Sequence, residues 1–300
     1  MKFWLSMMAE SDLSQLPEIA RHAEALGFEG VTYADHLVIP AKVESKYPYT
    51  PDGKIFWPGE AAWPDPWITL SLMGAATKRL KLASNIYLAA LRDPFTAAKS
   101  VATAAAFAPG RVVCGVSAGW IKEEYDLVGI DFASRGKRLD ELLQTMRELW
   151  TGEIVRHEGP FFRFEAIMRP APPLPVPIWV GGMTKGALAR AARNDGWLGL
   201  PLSLEQNLEI VRELYDLRGK SGLPRAGFSP CIFLTEPLTA ASRDALLKGG
   251  IENMLAIPWF PTPWETTPFI EPGADITRLD VKTSAMTRYA ESVIAKHTDR

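Results

Sequence analysis

Residues able to do chemistry fall in a few short clusters of this 300-residue chain. Asp35-His36 sets an imidazole, which titrates near neutral pH and can take or give a proton, beside a carboxylate. A loop histidine satisfying backbone carbonyls would look the same, so the pair alone leaves catalysis open. Residues 177–193 (PIWVGGMTKGALARAAR) read as an apolar strand, Gly181-Gly182, and a helix with Thr184 as its N-cap. The glycines let backbone approach a ligand, and the amides of Met183 and its successors open a helix N-terminus that favours anions. An ordinary strand-to-helix turn fits these residues equally well, and Lys185 is either a phosphate partner or a surface lysine. Ser84-Asn85-Ile86 and Ser117-Ala118-Gly119-Trp120 add small and amide side chains against which a flat ligand can lie. Trp120 is either a stacking partner or a core tryptophan.

These clusters need elements to hold them. Apolar alternation and helical spacing give eight strand-then-helix units. The strands fall at residues 3–7, 30–35, 80–88, 111–117, 178–180, 197–200, 230–234 and 253–258. Leu16, Ile19, Ala20, Ala23 and Leu26 share one helical face, as do Leu139, Leu142, Leu143, Met146, Leu149 and Trp150 of a long helix over 135–150. Ser203 and Gln206 form a capping box for a helix over 204–218. Eight such units in one chain predict a single-domain α/β fold, a (β/α)8 TIM barrel over residues 1–300. Two insertions interrupt it: a loop over 40–66 after the second strand, and a hairpin at about 153–169 after the long helix that follows the fourth. The loop is far longer than an ordinary connection, and its Tyr, Trp and Pro content predicts an ordered lid.

In such a barrel the active site lies at the C-terminal ends of the strands, which is where Asp35-His36, Ser84-Asn85, Ser117–Trp120 and Gly181-Gly182 fall. Trp259, Phe260 and Trp264 follow the last strand, and Tyr49, Trp57 and Trp63 lie in the loop. They predict aromatic pocket walls. Arg92-Asp93 reads as a structural charge pair, and Glu123, Glu124, Arg135 and Arg138 as a solvated charged face with some ion pairing.

Composition removes other classes. The net charge of −2 offers no footprint for nucleic acid or a membrane surface. The four histidines, His22, His36, His157 and His297, show no metal-binding spacing, so no metal is expected. There is no GxGxxG, which argues against a dinucleotide-binding sheet. The chain shows no long apolar run and no signal-like N-terminus. Cys114 and Cys231 read as buried thiols of a reducing compartment, so a cytoplasmic protein is expected.

The chain resembles the luciferase-like flavin and deazaflavin oxidoreductases, in particular the branch that uses coenzyme F420. The resemblance runs along essentially the whole chain. It is carried by Ala34-Asp35-His36-Leu37, Tyr47-Pro48-Tyr49-Thr50-Pro51-Asp52-Gly53, Gly115-Val116-Ser117-Ala118-Gly119-Trp120, Arg135-Gly136-Lys137-Arg138-Leu139-Asp140-Glu141 and Ile178-Trp179-Val180-Gly181-Gly182. It implies a TIM barrel with the deazaflavin ring across the strand ends, contacting Asp35, His36, Ser84, Asn85, Ile86, Ala118, Gly119 and Trp120. The phosphate tail would reach Gly181, Gly182 and Met183. It also implies a non-prolyl cis peptide at Asn85–Ile86, and Asp35 and His36 as the catalytic pair. Trp120 stands where the sugar-phosphate dehydrogenases of the family carry a glutamate acid, which argues against a sugar-phosphate substrate.

The expected reaction is hydride transfer between F420 and a small organic substrate bounded by Tyr49, Trp57, Trp63, Trp120 and Trp259. The alternatives are an FMN-dependent monooxygenase on the same barrel and a non-catalytic flavin- or deazaflavin-binding protein. A homodimer is expected on the resemblance alone.

Overall fold

The computed structural model describes residues 1–10, 12–50, 52–57, 61–259 and 269–298. The order opens with β1 (Lys2–Met7), α1 (Leu16–Ala25), β2 (Gly30–Tyr33), α2 (Pro66–Ala75), β3 (Lys81–Ser84) and α3 (Pro94–Phe107). After β4 (Val112–Val116) come two helices, α4 (Lys122–Leu127) and α5 (Arg135–Leu149). A separate antiparallel hairpin follows, β5 (Val155–Glu158) with β6 (Arg163–Ala166). The alternation resumes with β7 (Ile178–Gly181), α6 (Lys185–Ala192), β8 (Gly196–Leu202), α7 (Leu204–Lys220), β9 (Ser229–Leu234), α8 (Ala240–Lys248) and β10 (Asn253–Ala256). Last comes α9 (Leu279–Tyr289), which runs on through a π-helical turn, Ala290–Ile294.

Eight strands close into a barrel in the order β1-β10-β9-β8-β7-β4-β3-β2. Every neighbouring pair is parallel, so the closed sheet has no edge. The expected (β/α)8 architecture is the one observed. Among the described residues no helix is long and apolar enough to cross a membrane.

Two tryptophans plug the N-terminal end of the barrel. Trp4 and Trp179 meet edge to face with ring centroids 5.2 Å apart. Glycines on the neighbouring strands make room for them. A Cβ on Gly30 would stand 2.5 Å from the Trp4 ring, and one on Gly196 would stand 2.4 Å from Trp179. With this end filled, the opposite end is left for a ligand.

Two helices on the working side start on aspartates. Asp65 accepts from the amides of Trp67 and Ile68 at the head of α2, and Asp93 from those of Phe95 and Thr96 at the head of α3. Each cap contributes about 1 kcal/mol, and each is followed by a proline that is preset for the first turn. Asp93 therefore caps a helix and is not half of the charge pair expected with Arg92. The Ser203–Gln206 capping box is formed.

The third strand is shorter than its apolar run suggests. It stops at Ser84, and the Asn85–Ile86 peptide that follows is cis. Tyr87 rejoins as a single bridge to Val116. The aromatic loop is described at 40–50, 52–57 and 61–65, and it forms neither helix nor strand there.

Candidate active site

The chain leaves β2 through Asp35 and His36, and both are buried. Asp35 meets Arg92 in a two-pronged pair, with Nη1 to Oδ2 at 2.8 Å and Nη2 to Oδ1 at 3.0 Å. Its Oδ2 also accepts the Leu88 amide at 2.9 Å. Burial pushes the Asp35 carboxyl above its ordinary range, and the guanidinium offsets this only in part. Arg92 in turn lies over the Tyr87 ring at 4.4 Å. Asp35 thus ties the end of β2 to the segment just after the cis peptide.

His36 is held by a residue read from the sequence as solvated. Glu124 on α4 is buried, and its Oε2 lies 3.2 Å from His36 Nδ1. Its Oε1 accepts the amides of Leu37 at 2.7 Å and Val38 at 3.3 Å. The sequence offered Glu123 and Glu124 at the start of a short helix, and nothing in it said which one turns inward. Glu123 faces the loop. Its carboxylate accepts the amides of Glu44 and Ser45 and the Ser45 hydroxyl, the last at 2.7 Å. The hydrogen bond from Ser45 pulls the Glu123 carboxyl down to about 2.

Above His36 the loop forms an aromatic roof, as its composition predicted. Ring centroids of Trp63, Trp57 and Trp120 lie 4.7, 6.1 and 6.3 Å from the imidazole. Tyr47 ties the roof together, 5.2 Å from each of Tyr49, Trp57 and Trp120. Each such pair adds about 0.5–1.5 kcal/mol beyond the area it buries, alongside the backbone hydrogen bond from Tyr47 to Gly53 O within the loop. Burial raises the Tyr47 and Tyr49 phenols above their usual range, so both stay protonated. Trp120 thereby belongs to the roof.

The other strand ends complete the rim. The Asn85–Ile86 peptide is cis, as the resemblance implied, and the Asn85 amide nitrogen reaches Ser6 Oγ at 3.4 Å. Ile86 leans over β7, where a Cβ on Gly181 would stand 2.2 Å from its Cδ1. The first glycine of the pair therefore makes room for Ile86. Gly182, with φ of +108°, turns the chain into α6, and Thr184 caps that helix by accepting from Ala187. Met183, Thr184 and Lys185 are exposed there. Ala118 and Gly119 form a tight turn, in which Ala118 O accepts from Tyr125 and the Gly119 amide donates to Ser117 Oγ.

Two expected site residues stand elsewhere. Ser84 is fully buried, and its hydroxyl donates to Gly115 O and accepts from Gly115 N. It staples β3 to β4 and has nothing to offer a ring, because a strand-end serine beside a glycine is drawn to the bare backbone. Trp259 is only 1% exposed, so it is no open pocket wall. Glu10 follows β1 and is paired with Lys282 of α9 in a buried ion pair. Glu10 stands three residues past the end of β1, where the strand-end rule points, and the sequence reading took no site residue from that strand. Phe260 and Trp264 lie outside the described residues. Among the described residues there is no cluster of three potential metal ligands.

A barrel with this rim has known relatives. Residues 1–280 match the family described as luciferase-like monooxygenase, and the chain belongs to that family. It is an oxidoreductase. It is 32% identical over 292 residues to the Mycobacterium tuberculosis protein Rv0940c, covering 96% of this chain and 97% of that one. It is 34% identical over 191 residues to a Nakamurella multipartita protein named F420-dependent glucose-6-phosphate dehydrogenase, covering 62% of this chain and 51% of that one. The crystal structure of monooxygenase RslO1 from Streptomyces bottropensis superposes with a TM-score of 0.70 at 18% identity, covering 99% of this chain and 100% of the other.

Proposed function

We propose that this enzyme moves a hydride between coenzyme F420 and a small organic substrate, with His36 serving the proton. The observation that carries the reading is His36 itself. It sits at the C-terminal end of β2, backed by Glu124 and roofed by Trp57, Trp63 and Trp120. The name of the Nakamurella relative supports the choice of cofactor.

The residues present suit a planar ring with an anionic tail. The exposed amides at the start of α6, beside Gly182 and Lys185, suit phosphate. Asn85, Ile86, Ala118 and Gly119 present an amide, an apolar side chain and bare backbone to a ring. A deazaflavin carries carbon where a flavin carries its reactive nitrogen, so it supplies two-electron hydride chemistry and little oxygen chemistry.

The chain's own residues do the rest. The aromatic roof excludes water from the imidazole. Arg92 holds Asp35, and Asp35 holds the strand end that carries His36. The indole at 120 and the rings around it suit an apolar or ring-bearing substrate in place of a sugar phosphate.

Titration of the purified protein with F420 and with FMN tests this. Binding of F420, followed by bleaching of its visible absorbance with alcohol substrates, is the expected result. Tight FMN binding with no affinity for F420 would overturn it in favour of a flavin monooxygenase. Bound F420 that no donor reduces would leave only a binding protein.

A further inference from the structure

We infer that Glu124 is a positioning residue that fixes the tautomer of His36, keeping the proton on Nδ1 and leaving Nε2 as a proton acceptor. The argument is one of hydrogen-bond accounting. Glu124 Oε1 accepts two backbone amides, from Leu37 and Val38. With Glu124 ionised, its other oxygen can only accept, whereas a protonated Glu124 would donate from Oε2 and leave Nδ1 the acceptor. In the ionised state His36 Nδ1, at 3.2 Å from that oxygen, is the donor. In a neutral imidazole this leaves Nε2 with its lone pair. Among the described residues Nε2 has no hydrogen-bond partner.

The same carboxylate does two things at once. One oxygen seats the start of the aromatic loop, and the other sets the protonation of the imidazole beneath it. Lid and base are therefore registered to each other through one side chain on α4. The charged groups around His36 are few. Glu124 faces it from α4. Asp35 precedes it on β2, and its charge is matched by Arg92. Among its described residues the loop brings rings to His36, Trp57 and Trp63, with Trp120 beside them.

Glu124→Gln makes the sharp test, because it keeps the shape and inverts the donor pattern. The Leu37 and Val38 amides still require an acceptor, so the amide oxygen stays toward them. Its NH2 group then faces Nδ1, which must become an acceptor, and the proton moves to Nε2. Nitrogen-15 NMR of histidine-labelled protein reads this without cofactor or turnover, and loss of one signal pair in His36→Gln assigns His36 among the four histidines. Wild type is expected to show the Nδ1–H form above the titration of His36, and Glu124→Gln the Nε2–H form. An Nε2–H form in wild type, a His36 doubly protonated through pH 8, or an unchanged tautomer in Glu124→Gln would each overturn the inference.

A kinetic arm rests on the proposed dehydrogenase activity. With Nε2 protonated, the hydroxyl proton of a substrate has no acceptor, so kcat is expected to drop about 10²–10⁴-fold with cofactor affinity unchanged. A swapped tautomer in a protein that never reduces F420 would leave the positioning role standing and sink the dehydrogenase reading alone. A swapped tautomer with undiminished kcat would show that His36 is no base.

Discussion

Asp35 and Arg92 show how much rides on one buried pair. Their side chains are 1% and 7% exposed, and the aspartate takes two bonds from the guanidinium. Removing one partner strands the other charge in a dry site. Arg92→Leu is therefore expected to cost about 3–5 kcal/mol, read as a loss in chemical denaturation. Adding Asp35→Asn should recover part of that cost, because the uncompensated charge is gone. Equal losses in the single and double variants would mean that Arg92 acts only through its packing on Tyr87. Sequence alone marked Asp35-His36 and placed both at a strand end. It read Arg92 as a partner of its neighbour Asp93, because adjacency is the only proximity a sequence displays. In the fold Asp93 turns to its own helix, and Arg92 reaches back 57 positions to Asp35.

At the scale of elements, α4 organises the lid. Its first turn carries two adjacent carboxylates, which point to opposite tasks: Glu124 to the histidine, Glu123 to the loop backbone at Glu44 and Ser45. The Glu123 carboxyl, lowered to about 2 from its ordinary value of 4.5, links loop docking to pH. A carboxyl held below its free value binds its proton less readily when the loop is docked. Docking is thus fully favoured above about pH 4.5, and that advantage is lost as pH falls through about 2. Hydrogen exchange over residues 40–57, corrected for its intrinsic pH dependence, should show protection fading in that window. Ser45→Ala removes the largest cause of the shift, so fading should begin at higher pH. Protection that ignores pH, or that is the same in both proteins, would mean that the aromatic rings alone hold the loop.

For the whole molecule, barrel closure makes the strands share one fate, since each is bonded on both sides. Cys114 on β4 and Cys231 on β9 report on this. Both are free and fully buried, and burial pushes both thiols well above their ordinary range. A thiol reagent is expected to leave both untouched in the folded protein and to label them at a common rate on unfolding. Labelling of one ahead of the other would show that the barrel opens in parts.

The sequence by itself determined the architecture. Apolar alternation, the Thr184 cap, the Ser203–Gln206 capping box and paired glycines are local signals, and eight strand-helix units repeated in order admit few closed arrangements. It also determined the rim, because the strand ends of a barrel are the residues that follow each apolar run. Tertiary structure alone decided which polar groups the rim spends internally and which it leaves open. Ser84 went to a neighbouring strand, Glu10 paired with Lys282 of α9, and Glu124 reached across 88 positions to His36. The physical reason is that desolvation and hydrogen-bond partners are set by whatever packs against a side chain. For these residues the partner comes from another strand or helix, at a separation that no local pattern records.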